Sequence, residues 1–187
     1  YLSRLKSLPV AESRVPLKVG ITGEFFIVID HFANMDIEVL LGNLGVEVKR
    51  SIFLSDYVRL NPLVYYFGLL EKHKSHKAAM PYISHHIGGD GWQSVGEKVL
   101  HAGDWDGIVH LEPFGCMPEI TARNIMPSTK EELPVLNVIY DEHTGKAGLM
   151  SRLEAFVDML RRKKMRGATA SANRRYREES NGSLFGY

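Results

Sequence analysis

The chain has 187 residues, 44% of them apolar and 24% charged, enough to bury one core and ordinary for a globular domain. No apolar run approaches the roughly 20 residues that a membrane-crossing helix needs, and the start Tyr1-Leu2-Ser3-Arg4-Leu5 lacks the charged and apolar regions of a secretory signal. A single cysteine excludes an internal disulfide framework and suits a reducing, cytoplasmic setting.

Charge is uneven along the chain. Residues 161–187 hold eight of the 23 Lys and Arg and two of the 22 Asp and Glu, a net of +6, which leaves −5 for residues 1–160. The charge distribution and composition divide the chain into an N-terminal extension over 1–15, open to helix formation, one α/β domain over 16–162, and a basic flexible tail over 163–187. The tail could meet nucleic acid only through nonspecific charge, so nucleic acid is not an expected partner, and neither is a membrane. The absence of an initiating methionine suggests a piece of a longer protein.

In chain order, Leu17 to Ile21 reads as a strand opened by Pro16 and closed at Thr22-Gly23. The spacing of Met35, Val39, Leu40 and Leu44 predicts a helix over 32–44, with Gly45 as its C-cap before a second strand, Val46 to Ile52. Residues 55–72 read as helix interrupted at Pro62. Residues 74–91 are the least periodic, with His85-His86 and Gly88-Gly89-Asp90-Gly91. Helix resumes over 93–101. Gly107 to Leu111 has the uninterrupted apolar centre of a covered parallel strand. A helix over 118–125, a strand over 134–140, a loop over 141–148 and a helix through Arg161 complete the pattern. Strands alternating with helices predict a three-layer α/β fold with an open, mostly parallel, flavodoxin-like sheet of about four strands, in the order 2-1-3-4.

In such a sheet the carboxyl ends of the strands face one crevice. The loops that reach it carry Glu24, Asp30, His31, Asn34, Glu112, Cys116, Glu119, Asp141, Glu142 and His143. Glu24, Asn34, Glu112, Asp141 and His143 are the crevice candidates. The glycines at 88–91 lack the Lys-Ser/Thr ending of a phosphate loop and read as a turn. The histidines form no persuasive ligand set: His73 and His76 are three apart, His85 and His86 adjacent, and the HExxH pattern is absent. Cys116 stands between Gly115 and a helix starting at Pro118, where the helix dipole would lower its pKa. Its residues leave three readings open: a nucleophile with His31 or His143 as base, a metal ligand, or an inert small side chain.

Three segments carry a family resemblance. They are Gly20-Ile21-Thr22-Gly23-Glu24 with Asp30-His31-Phe32-Ala33-Asn34, then Pro113-Phe114-Gly115-Cys116-Met117-Pro118, then Asp141-Glu142-His143-Thr144-Gly145 leading into Ser151-Arg152-Leu153-Glu154-Ala155-Phe156. Together they resemble the 2-hydroxyacyl-CoA dehydratase component family and its activase-associated relatives, over most of residues 16–160. The resemblance implies a lyase-like or reductase-like iron-sulfur protein acting on CoA thioesters. It would have Cys116 as one ligand of a 4Fe-4S cluster completed elsewhere. It also implies an ATP-dependent iron-sulfur activator as partner, and a homo- or heterodimer. The departure is the missing cysteines: either the other ligands lie in an N-terminal part of a longer protein, which the missing initiating methionine favours, or, as the alternative, this is a non-catalytic structural or partner-binding domain that has lost the cluster.

Overall fold

The structure, a computed structural model, describes Arg4 and residues 16–54, 71–85 and 87–182. Four parallel strands form one sheet: β1 (Leu17–Gly23), β2 (Val46–Arg50), β3 (Gly107–Pro113) and β4 (Val135–Tyr140), in the order β2-β1-β3-β4. Fold class and strand order are those read from the alternation of strands and helices. The helices are α1 (Phe25–Ile29), α2 (Ile37–Asn43), α3 (Glu71–Ala79), α4 (Gly91–His101), α5 (Met117–Ile125) and α6 (Lys146–Gly182).

The two faces of the sheet differ because successive side chains alternate. One face sends Val19, Ile21, Val109, Leu111, Val138 and Tyr140 into the larger core, closed by α1, α2 and the Leu149, Leu153, Phe156, Val157 and Leu160 stripe of α6. The other face carries a polar row. Strand register sets Thr22 beside His110 and His110 beside Asn137. Helices α4 and α5 cover this row, and a smaller apolar cluster of Ala79, Ile83, Val95, Ala122 and Met126 closes around it.

Three expectations are corrected. The helix over 32–44 is broken, because Met35 and Asp36 both adopt φ 58°, and only Ile37–Asn43 continues as helix. The side chain of Asn34 makes the break stable by accepting the Ile37 N–H at 3.3 Å. Residues 71–79, which lack apolar periodicity, form α3. Its reason is a close crossing with α4: a Cβ at Gly96 would lie 1.9 Å from the Ser75 carbonyl oxygen. The last helix does not stop near Arg161 but runs on to Gly182 through most of the segment read as a flexible tail. The helix expected over 55–72 falls mostly on residues 55–70, and the N-terminal extension mostly on 1–15. Both lie outside the described residues, apart from Arg4 and the first residues of α3.

The glycines at 88–91 have a packing role. A Cβ at Gly91 would approach the Pro118 carbonyl oxygen to 2.4 Å, and one at Gly89 would touch the Pro118 ring at 2.9 Å. The turn therefore lets the start of α4 press against the start of α5. Trp105 packs likewise, covering Gly20 and stacking on His101 with ring centroids 4.1 Å apart.

Candidate functional site

The carboxyl ends of β1 and β3 place Glu24, Glu112 and Cys116 together. Chain direction changes sharply after β3, with Gly115 at φ 79° and the Cys116 N–H returning to the Pro113 carbonyl at 3.1 Å. Cys116 then serves as N-cap of α5 with an extended backbone. Its side chain makes no capping hydrogen bond to the first turn of the helix. This is the helix-start position read from Gly115 and Pro118, but the expected lowering of the thiol pKa is not found.

Burial pushes the Cys116 thiol above its usual pKa, and the negative charges of Glu119, Glu24 and Glu112 push in the same direction. The Glu119 amide opposes them without reversing the sign. A half-buried thiol ringed by carboxylates stays protonated and is a poor nucleophile. No histidine is among the groups that perturb it. His31 and His143, the candidate bases, are both exposed, and His143 stands 3.7 Å from Glu142.

The metal reading is likewise corrected. An iron-sulfur cluster is held by several thiolates, and this chain supplies one. Among the described residues no group of three His, Cys, Asp or Glu side chains is arranged to hold a metal ion. Cys116 is thus no ligand of a 4Fe-4S cluster in this chain, and with that the iron-sulfur lyase or reductase reading and its cofactor fall.

The remaining candidates separate. Glu24 caps α1, its Oε2 accepting the Ile27 N–H at 3.0 Å. Asn34 is fully committed to structure, donating to the Ile27 and Val28 carbonyls at 3.0 and 3.3 Å. Above it Tyr140 donates its hydroxyl to the Asn34 carbonyl at 3.2 Å, and burial raises the Tyr140 pKa far above the usual phenol value. Asp141 and His143 belong to a neighbouring open cavity of 460 Å³ beside Phe114 and Arg152. There the Asp141 carboxylate accepts from the Thr144 hydroxyl at 2.8 Å and the His143 N–H at 3.0 Å, and these bonds hold its pKa down. That arrangement is a self-satisfied turn.

Sequence reasoning names Glu112 and Glu119 but misses the polar layer that they join beneath Cys116, with His110, Ser94 and Asn137. His110 Nε2 lies 2.7 Å from Glu119 Oε2, and the same oxygen accepts the Ser94 hydroxyl at 2.7 Å. His110 Nδ1 lies 3.0 Å from Asn137 Oδ1. Beside this network Arg123 donates to Glu112 Oε1. Glu112 and Glu119 are 1% and 0% exposed, and each keeps one carboxylate oxygen without a hydrogen bond among the described residues. The signal in the sequence is a histidine inside an apolar strand, with a glutamate one helical turn into the next element.

Around the mouth of the crevice stands an apolar rim. Phe32 is 95% exposed, Phe114 77% and Met117 69%, and Phe26 and Phe53 are exposed beside them in the chain segments that leave β1 and β2. The chain matches no family model, no curated protein and no solved structure.

Proposed function

We propose that this chain is a partner-binding α/β domain, kin to the dehydratase components it resembles, whose carboxyl sheet edge docks a second copy of itself. The observation that carries this reading is the apolar rim of Phe26, Phe32, Phe53, Phe114 and Met117 around one end of the sheet. Large exposed apolar patches are rare on monomers, and aromatic residues and Met are enriched in interface cores. The five side chains are uncharged, and the cation that lies on one of them, the Arg50 guanidinium 4.6 Å over the Phe53 ring, is paired with Glu38, so a two-fold contact would set like against like. Glu112 and Glu119 lie buried beneath, where they do not face the partner. The protonated thiol and the single cysteine favour binding over catalysis at this edge, and a cytoplasmic setting keeps that thiol reduced.

Sedimentation velocity over two decades of concentration tests the proposal, with maleimide labelling of Cys116 as a local reporter. A reversible dimer is expected, lost in the Phe114→Asp/Met117→Asp double variant, with labelling of Cys116 slowed in the dimer. A monomer at every concentration would overturn the reading and leave the rim to a different protein, such as an ATP-dependent activator. A dimer that labels as fast as the monomeric variant would place the contact elsewhere and overturn it too.

A further inference from the structure

A second site lies away from the rim and is independent of it. Between edge strand β4 and helix α5 runs a groove of 430 Å³, within the size range of small-ligand sites. Its walls are apolar: Met126, Pro127, Leu133 and Val135. Its polar end is built by Lys98, Arg123 and Asn137.

Lys98 is the unusual member. It reaches from α4 and is only 4% exposed. Its ammonium donates to the Thr129 hydroxyl and, at 2.6 Å, to the Glu131 carbonyl oxygen, both neutral acceptors. No carboxylate stands within ion-pair distance of it among the described residues. The nearest acid, Glu131, is held instead by the Tyr82 hydroxyl at 3.1 Å. A buried ammonium bonded only to neutral groups is costly, and its burial lowers its pKa accordingly. An ammonium has three donors, and two are used here. Asn137 turns its oxygen to His110, which leaves its amide nitrogen as a further donor. Arg123 is partly exposed and spends one nitrogen on Glu112.

We infer that this groove binds a small organic monocarboxylate, its carboxylate held by Lys98, Asn137 and Arg123 and its apolar body lying along Met126, Leu133 and Val135. Lys98, bonded to neutral acceptors, matches one negative charge and no more. Glu131 and Glu132 also line the groove, so a doubly charged phosphate would meet repulsion that one carboxylate, paired with Lys98, does not. The apolar wall selects a ligand with a hydrocarbon portion over a bare anion.

Titration of the full chain with benzoate, followed by amide and methyl NMR, tests this, with benzamide and inorganic phosphate as the contrasting probes. Saturable benzoate shifts at Thr129, Leu133 and Val135 are expected, with neither other probe saturating. Lys98→Met keeps the aliphatic stem and should weaken benzoate at least about tenfold, the loss of one charge-assisted bond. Because Lys98→Met could disturb the core, Pro127→Glu offers a second variant at the exposed lip, where added negative charge should also weaken benzoate. Binding of benzamide or phosphate as tight as benzoate overturns the assignment. So does an absence of saturation, or benzoate affinity unchanged in Pro127→Glu.

Discussion

His110 on β3 and Glu119 on α5 meet at 2.7 Å in a place that solvent does not reach, with the histidine 0% exposed. The contact ties the helix that begins at Cys116 to the centre of the sheet, and the Ser94 hydroxyl ties α4 to the same carboxylate oxygen. Removing one member strands the other in the interior. His110→Leu or Glu119→Leu should each cost about 3–5 kcal/mol in urea unfolding. The double variant should cost clearly less than the sum, since neither His110 nor Glu119 is then stranded without the other, and only Ser94 and Asn137 lose a partner. Additive losses would show that the two side chains do not act as a pair.

Glu112 gives stability a pH dependence of definite sign. Burial raises its pKa above the ordinary 4.5, although His110 and Arg123 pull the other way. The folded state therefore holds a proton that the unfolded state has released in the interval just above 4.5. Its contribution to stability is fully present below that value and is lost as pH rises through the raised folded value. Glu112→Gln keeps an acceptor for Arg123 and removes the proton. The difference in unfolding free energy between wild type and variant should shift in favour of the variant as pH rises from 4 to 7, in steps of about one unit. A difference that stays level across this range would refute the raised pKa.

Backbone contact between the starts of α4 and α5 makes Gly91 intolerant of a side chain. Gly91→Ala puts a Cβ 2.4 Å from the Pro118 carbonyl oxygen, an overpacking that should cost about 1–3 kcal/mol. Gly103 has nothing within 4 Å of the same position and serves as the control. Thermal melts of the two variants compare them directly, and equal melting temperatures would count against the contact.

The Cys116 thiol should react slowly. Its labelling by iodoacetamide should rise only at a pH above that of an unfolded-chain cysteine, because burial and, after it, the neighbouring carboxylates oppose the thiolate. Glu24→Gln removes one of those charges from a half-buried position and should speed labelling. Rapid labelling at neutral pH in the wild type would sink this account.

The sheet was legible because its strands announce themselves: Gly107 to Leu111 is apolar throughout, and Gly45 closes the helix before Val46. The polar layer was not, for a specific reason. Thr22, His110 and Asn137 come together through strand register, which no local pattern encodes. Helix α3 was hidden because its defining contact is the bare Cα of Gly96 on another helix. Cys116 stands at the helix start that Gly115 and Pro118 predict, but its thiol pKa moves opposite to the dipole's pull. The dipole argument counts one turn of helix, whereas burial of the thiol, joined by the charges of Glu119, Glu24 and Glu112, outweighs it.

Helix α6 has a mechanical consequence. Among its described side chains the buried ones run from Leu149 to Leu160, and Lys164 ties it to the sheet's amino edge, at 2.9 Å from Asp106. Residues 165–182 then extend about 27 Å farther at 1.5 Å per residue. A tilt of about 5° at the packed half would move the far end by about 2 Å over that length. The helix is a lever whose fulcrum is the hydrophobic stripe and whose short arm begins beside the loop of Asp141 and His143. Any tilt of the packed half would therefore be larger at the helix's far end than beside the sheet.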